Sequence, residues 1–164
     1  MKKVYNIDLS TRGIKELQKG LQEYKQWLKE KSDELCKRLA DMGAVKASLG
    51  FARAIYSGQE DHTISVVQKD GGYAVRADGT TVLFVEFGTG LIANEGGGHP
   101  EPHGMGAGTY PPTNPDNQHL DDPNGWWYAH NQHTYGNPPN MPMYNTVKEL
   151  EMELERVVKE VFAL

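Results

Sequence analysis

Ile14, Leu17, Leu21, Tyr24, Leu28, Leu35, Leu39 and Met42 recur at intervals that place them on one stripe of a helix. Ser10 and Thr11 offer capping hydroxyls just ahead of this series, and Gly43 offers a stop just behind it. The spacing predicts a helix of about thirty residues, roughly 45 Å long at 1.5 Å per residue. In a chain of 164 residues such a rod needs a long partner to cover its apolar side. A second series, Val147, Leu150, Leu154, Val157 and Val161, predicts that partner as a helix from about Asn145 to Phe162. Met143 is placed to extend it backwards, and Pro142 and Asn145 mark its start. Ahead of the first helix, Val4, Tyr5, Ile7 and Leu9 read as a short extended start.

Between the helices the rhythm shortens. Leu49 to Tyr56, His62 to Gln68, Tyr73 to Ala77 and Thr80 to Phe87 read as β-rich segments of an antiparallel meander. Lys69-Asp70-Gly71-Gly72 and Asp78-Gly79 have turn chemistry, and Asp78-Gly79 gives the clearest hairpin signal. The predicted class is therefore α+β, with a long N-terminal and a C-terminal helix packed on one side of the meander. Residues 1–164 form one domain, and a long Gly/Pro-rich insertion loop, 91–142, precedes the last helix. All nine prolines lie from Pro100 to Pro142. A loop of that length in a compact domain is functional, disordered alone or ordered by a partner, and the last is the reading preferred here.

The fourth β segment is unusual. Alternation puts Leu83, Val85 and Phe87 on one face and Val82, Phe84 and Glu86 on the other, so both faces are largely apolar. Two helices on the same side cover one face, leaving the other for the long loop or another subunit. Glu86 lies between two phenylalanines, so its carboxylate has to reach water, an arginine such as Arg53 or Arg76, or backbone N–H groups. General acid–base chemistry calls for a second titratable partner, and the nearest preceding candidate is Asp78. The reading is a structural carboxylate, with no catalytic residue.

Composition narrows the function classes. The single Cys36 excludes an internal disulfide and reads as a small buried or half-buried hydrophobe. No apolar run is long enough for a signal peptide or membrane helix, which predicts a protein folded in the cytoplasm without a membrane partner. A formal net charge of −5 without a dense Lys/Arg block argues against sequence-specific nucleic-acid binding. Gly96-Gly97-Gly98 lacks the strand-to-helix context and the following lysine of a phosphate loop.

Phe84-Val85-Glu86-Phe87-Gly88-Thr89-Gly90 resembles a signature of the neck and tail-completion morphogenesis proteins of long-tailed bacteriophages, described as tail-component or head–tail joining proteins. A second stretch, Tyr135-Gly136-Asn137-Pro138-Pro139-Asn140-Met141-Pro142-Met143-Tyr144, is similar to that family's approach to its last helix, with Gly136, Pro139 and Pro142 at the matching positions. The order of β segments, signature, variable loop and C-terminal helix is also similar. The loop is longer and richer in His and Asn than a minimal member requires. The resemblance implies a virion structural protein without cofactors, made in the bacterial host cytoplasm. It further implies self-assembly into a ring, a hexamer in the virion, at the neck or tail, contacting tail-tube or head-connector proteins.

Two features of the loop support other readings. His99, His103, His119, His130 and His133, with Asp116, Asp121 and Asp122 nearby, raise the alternative of a metal-binding module or metal-dependent enzyme. Their spacing matches no ligand motif, and Pro100 and Pro102 oppose a helix that would align His99 with His103. Trp126-Trp127-Tyr128 is a dense aromatic cluster in polar surroundings, expected to anchor the loop on the sheet or on a neighbouring subunit.

Overall fold

The computed structural model describes residues 8, 10–54, 61–90, 92, 100, 124–128 and 132–163. Among the described residues three helices, α1 (Thr11–Ala52), α2 (Val82–Phe87) and α3 (Pro142–Phe162), combine with short antiparallel strand pairs. The class is α+β, with a long N-terminal helix, a C-terminal helix and a small sheet. The sheet is smaller than the expected meander: β1 (Thr63–Lys69) and β2 (Gly72–Asp78) form a two-stranded hairpin. Its turn is at Asp70 and Gly71, both with positive φ, the backbone pair that matches the right-handed twist of a tight hairpin.

The long helix starts where the sequence places it, with Ser10 Oγ accepting from Gly13 N at 3.1 Å. It does not stop at Gly43. It runs for 42 residues, about 63 Å, and absorbs Leu49–Ala52, expected to open the first strand. Gly43 and Gly50 serve packing instead, because Ala40, Gly43, Ala47 and Phe51 form the buried side of α1. A Cβ at Gly43 would lie 3.0 Å from Val75 Cγ2 and 3.1 Å from Leu150 Cδ1, so here α1 meets both the hairpin and α3. At Gly50 a Cβ would lie 2.9 Å from Pro142 Cβ, part of a rigid ring that cannot rotate away. Gly50→Ala is therefore expected to destabilise the protein by about 1–2 kcal/mol, although alanine is the better helix former. A rise in melting temperature would refute that packing.

The helices α1 and α3 run antiparallel. Pro142 lies against Gly50 at one end, and Phe162 meets Trp27 edge-on at 5.8 Å between ring centroids at the other. Lys46–Glu149 at 2.5 Å and Arg38–Glu160 pair across the seam. These groups are partly exposed, so they favour the antiparallel register more than they stabilise it. Val157 and Val161 are buried in the seam. Cys36, expected to be at least half-buried, is exposed. The extended start at residues 4–9 is outside the described residues except for Asp8, as are residues 55 and 56 of the first expected strand.

The largest correction concerns Thr80 to Phe87. This segment is not a fourth strand, and Asp78-Gly79 is not a hairpin turn: β2 ends at Asp78 and the chain enters α2. Val85 N donates to Thr81 O at 3.0 Å and Gly88 N to Phe84 O at 2.9 Å. The alternation of two apolar faces therefore does not exist. Val85 and Glu86 are neighbours on the buried side of one short helix.

Candidate functional site

Helix α2 is too short to hold itself together and is fixed at its start by a side chain, and at its end by backbone groups, distant in sequence. At its start, Asp61 accepts from Thr80 N at 2.9 Å and Thr80 Oγ1 at 2.5 Å. It also accepts from Thr81 N at 3.0 Å and Thr81 Oγ1 at 2.8 Å. These bonds, with the Thr80 hydroxyl foremost, hold the Asp61 carboxyl well below the usual carboxylate range. A depressed folded-state value contributes stability above the unfolded value of about 3.9, lost as pH falls towards the folded one. The melting temperature of the wild type should exceed that of Asp61→Asn by a constant gap from pH 7 to 5. That gap should narrow below about pH 4, and a gap that widens on acidification would contradict the assignment.

At the other end, the signature and the approach to the last helix come together. The side chain of Glu86 is 6% exposed. Its Oε2 accepts from Met143 N at 2.8 Å and its Oε1 from Tyr144 N at 2.9 Å. Both N–H groups belong to the first turn of α3, whose own N-cap, Met141, provides no side-chain cap. A carboxylate there satisfies orphan donors and opposes the positive end of the helix dipole. Asn140 N donates to Val85 O at 2.9 Å and Met141 N to Glu86 O at 3.3 Å, so the last carbonyls of α2 are paired by the same stretch. Of the three fates open to Glu86, contact with backbone N–H groups is realised, and Arg76 pairs with Asp78.

The chain leaves α2 through Gly88 into β3 (Thr89–Gly90), which pairs antiparallel with β6 (Gly136–Asn137). Asn137 donates from its backbone N at 2.9 Å and its side-chain Nδ2 at 3.2 Å to Thr89 Oγ1. Gly136 has φ 114°, and a Cβ there would collide with the Thr89 carbonyl. Pro142 is buried at the first position of α3, and Pro139 is half-buried. Val85, Glu86, Thr89 and Gly90 of the first stretch thus meet Gly136, Asn137, Asn140, Met141, Met143 and Tyr144 of the second in one latch of backbone and side-chain bonds. Both Glu86 oxygens accept from backbone donors, and the arrangement fixes the start of helix α3.

The aromatic cluster is elsewhere. β4 (Trp126–Tyr128) pairs with β5 (Gln132–Thr134). Trp127 is not buried on the sheet; it is 69% exposed, edge-on to His133 at 5.0 Å, whose ring meets Tyr135 at 4.9 Å. His133 Nε2 is 2.7 Å from Asn124 O. His99, His103, His119 and His130, with Asp116, Asp121 and Asp122, lie outside the described residues. Among the described residues no group of three or more His, Cys, Asp or Glu is arranged to hold a metal. Among them, too, no helix is long and apolar enough to cross a membrane.

Comparison of the chain with protein-family models, with curated proteins and with solved structures finds no match. The latch itself was only half visible beforehand. The two motifs stand out as sequence, but their partnership does not, and Asp61 gave no signal because its partners are nineteen and twenty residues away.

Proposed function

We propose that this chain is a structural morphogenesis protein of a tailed bacteriophage or prophage, forming part of the head–tail joining or tail-completion ring. One observation carries the reading: the two stretches that resemble that family, 84–90 and 135–144, are partners in a single latch. Residues separated by about fifty positions are joined by Glu86 capping α3 and by Thr89 pairing with Asn137. A motif with this role needs its glycines, its carboxylate and its prolines for structural reasons, and needs no substrate. The protein acts by assembly rather than by catalysis, without a cofactor. The latch holds a rigid base, and the segment between Gly90 and Gly136 meets a neighbouring subunit, the tail tube or the head connector.

The test is location. Gold-labelled antibody against this chain, applied to purified particles from a host producing it, should mark the neck or the tail by electron microscopy. Absence of the chain from mature particles and from isolated heads and tails alike would overturn the reading.

A further inference from the structure

Of the asparagines in the chain, one, Asn124, precedes a glycine. The backbone nitrogen after an asparagine can close on the side-chain Cγ through a five-membered ring. Glycine obstructs that closure least, because it has no side chain and the widest choice of backbone angles. Asn124 is exposed in a turn, and Gly125 follows with φ 67° at the start of the β4–β5 hairpin.

A second observation falls on the same peptide bond. His133 Nε2 lies 2.7 Å from Asn124 O, and a carbonyl oxygen only accepts, so Nε2 carries the proton and donates. That oxygen belongs to the peptide whose nitrogen is Gly125 N. When this nitrogen loses its proton, the negative charge is shared with Asn124 O. A donor already aimed at the oxygen stabilises the anion as it forms. The fold brings the imidazole there. Trp127 and His133 are directly opposite in the strand pair, and the ring is edge-on to Trp127 and to Tyr135. A Cβ at Gly125 would lie 2.9 Å from His133 Cε1 and 2.3 Å from Thr134 O. The residue that eases ring closure is therefore also the one that lets the imidazole approach.

We propose that Asn124-Gly125 is a site of self-modification promoted by the His133 N–H. Solvent hydroxide takes the Gly125 N–H proton, the nitrogen attacks Asn124 Cγ, and the Cγ–Nδ2 bond breaks. Nδ2 leaves as ammonia, taking a proton from water, and a cyclic imide remains. Water then opens the imide at either carbonyl, giving aspartate or isoaspartate, so the net reaction consumes one water and releases one ammonia. Both products add a carboxylate beside the His133 ring. Isoaspartate also inserts one carbon into the backbone ahead of β4 and displaces the carbonyl that His133 holds. The chain thus carries, next to its exposed aromatic residues, a position whose charge and backbone change with time after folding. This inference stands apart from the assembly reading.

Incubation of the full chain at neutral pH, followed by peptide mapping with mass spectrometry, tests the site. The peptide containing Asn124 should gain the mass that accompanies exchange of NH2 for OH and should separate into two forms, one of them a substrate for an isoaspartate methyltransferase. His133→Phe keeps a ring beside Trp127 and Tyr135 but removes the donor, and should slow the conversion roughly five- to tenfold. His133→Gln restores an N–H donor and should recover much of the rate. A hairpin merely loosened by substitution would convert faster, so loss of fold and loss of the donor have opposite signs. In urea, wild type and His133→Phe should convert equally, because the contact exists only in the folded hairpin. A folded His133→Phe protein that converts as fast as the wild type or faster would overturn the proposal. So would a folded wild type whose Asn124 stays intact while the urea-unfolded chain converts.

Discussion

Replacing Glu86 by alanine is expected to lower stability by about 3 kcal/mol, a fall in melting temperature of roughly 6–12 °C for a chain of this size. The carboxylate is buried and accepts from two backbone N–H groups in the first turn of α3. Alanine leaves both donors buried without that partner, removes the negative charge from the positive end of the helix dipole and opens a gap under α2. Glu86→Gln keeps one carbonyl acceptor of nearly the same shape and should recover about half of the loss. Urea unfolding followed by circular dichroism measures all three proteins. A loss below about 1 kcal/mol for Glu86→Ala would mean that α3 is held in place without its borrowed cap.

Gly136→Ala should cost a similar amount, about 2–4 kcal/mol. Two penalties coincide there. The backbone has a φ of 114°, which L side chains rarely adopt, and the new methyl group would collide with the Thr89 carbonyl. The obstacle is backbone in the β3–β6 pair, so no side-chain rotation relieves it. Combined with Glu86→Ala, the loss should fall short of the sum of the single losses by about 1 kcal/mol, because each substitution partly opens the same latch. Additive losses would show two independent contacts. A Gly136→Ala protein as stable as the wild type would show that β3 and β6 separate at little cost.

These residues also show what the sequence reveals and what it hides. The two helices were legible because their apolar stripes extend over many turns, and the Ser10 cap and the Pro142 start follow from local chemistry. The end of α1 was misread because Gly43 looks like a stop. In a helix crossing, a missing side chain permits close approach, and the 40, 43, 47, 50 spacing of small residues was the available clue. The misreading of 80–87 has a different cause. Val82-Leu83-Phe84-Val85 favours strand by propensity, but Asp61 at one end and residues 140–141 at the other satisfy a helix. Contacts across such distances outweigh local preference, and no periodicity in six residues announces them. Glu86 reads as structural because no chemical partner lies near it in sequence, and the two backbone amides that bond it, those of Met143 and Tyr144, have no sequence signature.

The pairing of Gly90 with Gly136 has a consequence for how such a chain can vary. It pins the two ends of the intervening stretch at adjacent positions of one strand pair. The entropy of closing a loop grows only logarithmically with its length, by about 0.6 kcal/mol per doubling. A change in the length of the stretch therefore alters the entropic cost of closing that strand pair by little. Insertions and deletions between Gly90 and Gly136 are thus cheap for the strand pair that bounds them, whatever they cost elsewhere.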